Sequence, residues 1–63
     1  MAKIWVIIDG SGLPKYWVGP SILDALRHVN KEYGIISYSG DMCNVTAICQ
    51  KTIVTIGLNV ERD

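Results

Sequence analysis

Residues 20–34 are the only part of this 63-residue chain that reads as a helix; the segments on both sides read as strand. Ile22, Ala25, Leu26, Val29 and Tyr33 recur at helical spacing and form one apolar stripe, and only Leu23 lies off it. Asp24, Arg27, His28, Asn30, Lys31 and Glu32 fill the rest of the wheel. Both ends are marked. Ser21 and Asp24 have the spacing of an aspartate capping box, where the helix dipole also favours an anion. Lys31 lies in the last turn, and Gly34 is suited to the left-handed residue that closes a helix. The spacing therefore predicts a helix over 21–33. Such a helix is about 20 Å long and about 10 Å wide, enough to shield two or three strands on one side only.

The flanking segments alternate with turn chemistry. Residues 3–9 form an apolar, β-branched run, with Ile4, Val6 and Ile8 on one side and Trp5 and Ile7 on the other. Asp9, Gly10, Ser11 and Gly12 supply a turn, Pro14 bars pairing at its own position, and residues 16–18 form a short returning strand. After the helix, residues 35–38 read as a strand, 39–41 as a turn, 43–49 as a strand with Cys43, Val45, Ala47 and Cys49 on one face, and 52–60 as the closing strand. In that last strand Val54, Ile56, Leu58 and Val60 share a face, opposite Ile53, Thr55, Gly57 and Asn59. The reading is a single α+β domain over 1–63, a mostly antiparallel sheet of four or five strands with one helix packed on one face, in the order ββαββ(β). Strand order is left open.

Composition limits the function classes. The formal net charge is zero, with Lys3, Lys15, Arg27, Lys31, Lys51 and Arg62 scattered among an equal number of acids. This argues against a nucleic-acid footprint built on charge alone. The apolar run at 4–8 ends at Asp9, too short for a signal-peptide core or a membrane span, so a cytoplasmic protein without a membrane partner is expected. Cys43 and Cys49 are roughly 20 Å apart on a straight strand, beyond disulfide reach, and read as reduced core thiols.

Catalytic signatures are weak. Residues 6–12, a strand ending in Asp9, Gly10 and Ser11, resemble the first strand of ribonuclease H-like nucleases. That likeness implies two-metal chemistry on several converging carboxylates; Asp24 on a helix cap, Asp41 in a turn and the acids at the tail do not supply them, and a hairpin turn accounts for the same residues. No helix follows Gly12 to cradle a phosphate, His28 reads as a solvated imidazole, and neither cysteine has a base nearby in sequence. No catalytic, cofactor-binding or metal-ligating residue is assigned, and no enzyme is expected.

The rings carry more information. Trp5, Tyr16, Trp17, Tyr33 and Tyr38 are all the aromatic residues, and at least one tryptophan is expected in the core. If Ile4, Val6 and Ile8 face the helix, Trp5 and Ile7 point to the uncovered face, where Ile48 or Ile53 joins them; with the parity reversed, the three β-branched residues take the open side, and either choice leaves apolar surface uncovered. The candidate partner-binding residues are thus Trp5, Ile7, Tyr16, Trp17 and Ile53. The expected function is a non-enzymatic protein-binding module, an inhibitor occupying a surface of a larger protein machine. Small motif-free domains of this kind are common among phage and mobile-element proteins, anti-CRISPR proteins included. A protein partner is expected, with homodimerisation as a second outcome. The alternative is a single-stranded nucleic-acid binder that stacks bases on Trp5, Tyr16 and Trp17, with Lys3, Lys15 and Lys51 on phosphates.

Overall fold

The computed structural model describes residues 2–62. The elements are β1 (Ala2–Ile8), β2 (Lys15–Gly19), α1 (Ile22–Tyr33), β3 (Ile35–Gly40), β4 (Asn44–Cys49) and β5 (Ile53–Arg62). The strands form one antiparallel sheet in the order β2-β1-β5-β4-β3, so the last strand in sequence is the central one. The small α+β architecture is thus the one the sequence predicts.

The helix carries the chain from one sheet edge to the other. Its 12 residues rise about 18 Å, close to the roughly 19 Å spanned by four interstrand gaps. Asp24 accepts hydrogen bonds from the Ser21 amide at 3.3 Å and the Ser21 hydroxyl at 3.3 Å, fixing the helix start. At the other end Gly34 takes φ 72°, donates to the Asn30 carbonyl at 2.9 Å, and is followed by Ile35, whose amide meets the Asn30 side chain.

The core consists of Ile22, Ala25, Leu26 and Val29 from the helix and Trp5, Ile7, Val45, Ala47, Cys49, Val54 and Ile56 from the sheet. Of the two parities open to β1, the fold takes the one that removes Trp5 and Ile7 from the candidate contact residues. Trp5 and Ile7 are fully covered, at 0% and 1% exposure, and Ile4, Val6 and Ile8 occupy the other side. The register supplies the reason: Trp5 pairs with Leu58 and Ile7 with Ile56, so β1 takes its facing from β5, whose Val54 and Ile56 are buried. Burying the indole also removes more apolar area than any aliphatic side chain would, and its N–H finds the Gly19 carbonyl at 3.2 Å.

Three further expectations are corrected. A register shift between Ile4 and Trp5 puts Val60 opposite Ile4, on the side away from Val54, Ile56 and Leu58. Cys43 precedes β4 and is exposed, whereas Cys49 is buried as expected; both are free thiols. His28 is half-buried rather than solvated, because its ring stacks on Trp17.

Candidate functional site

Paired residues in an antiparallel sheet point to the same side, so the register lays out the face that the helix leaves uncovered. One row holds Val18, Ile4 and Val60, and the next Tyr16, Val6, Gly57 and Asn44. A third holds Ile8, Thr55, Thr46 and Ser39, and a fourth Ile53, Ile48 and Ser37. Ile8, Tyr16, Val18, Ile48, Ile53 and Val60 are each 44–60% exposed, six large apolar groups on one side of the sheet, while Leu13, Trp17, Leu23, Ile36, Tyr38 and Met42 are exposed elsewhere. Hydroxyl and amide groups concentrate toward β4 and β3. These four rows hold no charged residue, and the register continues beyond Ile4 and Val60 with the pair Ala2 and Arg62.

The five predicted contact residues are separated by the fold. Tyr16 and Ile53 lie on the uncovered face. Trp17 pairs with Trp5 on the helix side and stacks on His28, with centroids 4.1 Å apart and planes 10° from parallel. Trp5 and Ile7 are core residues. A stacking platform of Trp5, Tyr16 and Trp17 therefore does not form: one ring is buried, one is packed on the helix, and one lies on the opposite side of the sheet. Ile4, Val6 and Ile8 lie on the uncovered side, as the reversed parity requires, and Val18 and Val60 join them there without having been singled out from the sequence. The signal available was the alternation of Ile53 and Thr55 against Val54 and Ile56, which becomes informative for β1 only once the pairing of β1 with β5 is known.

A polar cluster sits at the opposite end of the helix side. The Tyr33 hydroxyl donates to Asp9 Oδ2 and accepts from Lys15 Nζ at 2.9 Å, and Asp9 Oδ1 accepts from the Ser11 amide at 2.8 Å. Lys15 Nζ lies 3.7 Å from Asp9 Oδ2. Hydrogen bonds from Ser11 and then Tyr33 hold the Asp9 carboxyl far below the usual carboxylate range, with Lys15 adding a smaller electrostatic contribution. Lys15 is pushed up, chiefly by its hydrogen bond to Tyr33. Asp9, the residue singled out in the nuclease likeness, therefore ties the β1–β2 loop to the end of α1. Among the described residues no group of three or more His, Cys, Asp and Glu side chains is arranged to hold a metal ion.

A concavity of ≈ 550 Å³ runs between α1 and the edge strand β3, with Leu23, Leu26, Ile36 and Tyr38 along its walls. Leu23, Ile36 and Tyr38 are exposed there because Tyr38, paired with Ala47, faces the helix side at the far edge of the sheet. No described helix is long and apolar enough to cross a membrane. No family model, curated protein or solved structure matches the chain.

Proposed function

We propose that this chain is a non-enzymatic protein-binding module whose contact area is the uncovered face of the sheet, and that it works as an inhibitor by occupying a surface of a larger protein. The observation that carries this reading is the continuity of Ile4, Val6, Ile8, Tyr16, Val18, Ile48, Ile53 and Val60 across four rows that hold no charged residue. An apolar area of that extent on a small domain is characteristic of protein contact, since water is displaced from it at little polar cost. Those four rows also hold none of the lysines and arginines with which single-stranded nucleic acid is held.

The test is capture from an extract of the source cell, comparing the wild-type chain with Ile53→Lys, a substitution at a side chain 59% exposed. The wild type should retain a protein that the variant loses, with unchanged circular dichroism. Identical retention by both, or affinity for labelled single-stranded DNA or RNA at low salt that Ile53→Lys leaves intact, would overturn the reading.

A further inference from the structure

We draw no further inference here: the strongest candidate, the apolar groove between α1 and the edge strand β3 that the exposed side chains of Leu23, Ile36 and Tyr38 rim, carries nothing, because nothing in the structure shows what covers it.

Discussion

Trp5 is the residue at which the two possible facings of β1 give opposite results, so its replacement is the sharpest test of the fold. On an uncovered face, Trp5→Phe would leave stability unchanged. In the observed fold the indole is 0% exposed and donates to the Gly19 carbonyl at 3.2 Å. Phenylalanine keeps a ring but loses that hydrogen bond, about 1 kcal/mol, and leaves a void that costs about another 1 kcal/mol. A domain of this size holds roughly 3–9 kcal/mol in total, so a loss near 2 kcal/mol is measurable without abolishing the fold. With a urea dependence near 1 kcal/mol per molar for so small a chain, the midpoint followed by far-ultraviolet circular dichroism should fall by about 2 M. Trp5→Ala, at about 3–5 kcal/mol, should leave much of the chain unfolded. Trp17→Phe is the control: its ring is 36% exposed and stacks against His28 on the helix surface. Its midpoint should move by less than half as much. Equal shifts for the two phenylalanine variants, or none for Trp5→Phe, would refute this account of the core.

Three other outcomes follow from local geometry. Gly40 has φ 143°, and a Cβ there would lie 2.1 Å from the Asn44 carbonyl oxygen, so Gly40→Ala should cost roughly 3 kcal/mol or more by forcing the β3–β4 turn open, read as lost thermal stability. Asp9 has a folded pKa depressed from its ordinary 3.8, so the stability it confers is present above that value and drains away as the pH falls below it. Tyr33→Phe removes one of the donors responsible, and carboxyl-carbon NMR should show Asp9 titrating nearer the ordinary value with a flatter loss of stability in acid. A thiol reagent should modify Cys43 at once and Cys49 only when the protein unfolds, since the first is exposed and the second buried in the core; equal rates would contradict the placement of β4.

The helix was legible because three independent signals agreed: the apolar stripe, the Ser21–Asp24 cap and Gly34. β4 and β5 were legible for a related reason, since their polar and apolar residues alternate and only one facing buries Val45, Ala47, Val54 and Ile56 together. β1 offers no such contrast. Residues 4–8 are apolar on both sides, so its facing was set by a partner more than forty residues away in sequence, through the pairing of Ile7 with Ile56. Val60 changed sides because of a one-residue register shift, which alternation within a single strand does not announce. The contact between Trp17 and His28, and the bridge from Asp9 through Tyr33 to Lys15, arise because β2 and the helix are packed together by the fold; neither pair is close in sequence. The existence of an uncovered apolar face could thus be argued from the width of one helix, whereas the residues composing it awaited the strand order.

The central position of β5 also governs how the chain can acquire its structure. β1 with β2, and β3 with β4, are hairpins of neighbouring segments, yet neither hairpin pairs with the other; each meets only β5. The sheet consequently has no continuous hydrogen-bonded path across its middle until residues 53–62 slot between the two halves. Folding should be a single cooperative event with a rate limited by closing long loops rather than by the helix. The same arrangement makes the protein a natural candidate for fragment complementation: residues 1–50 alone would expose a cleft flanked by two unpaired strand edges, and a synthetic peptide carrying β5 would be the template that joins them.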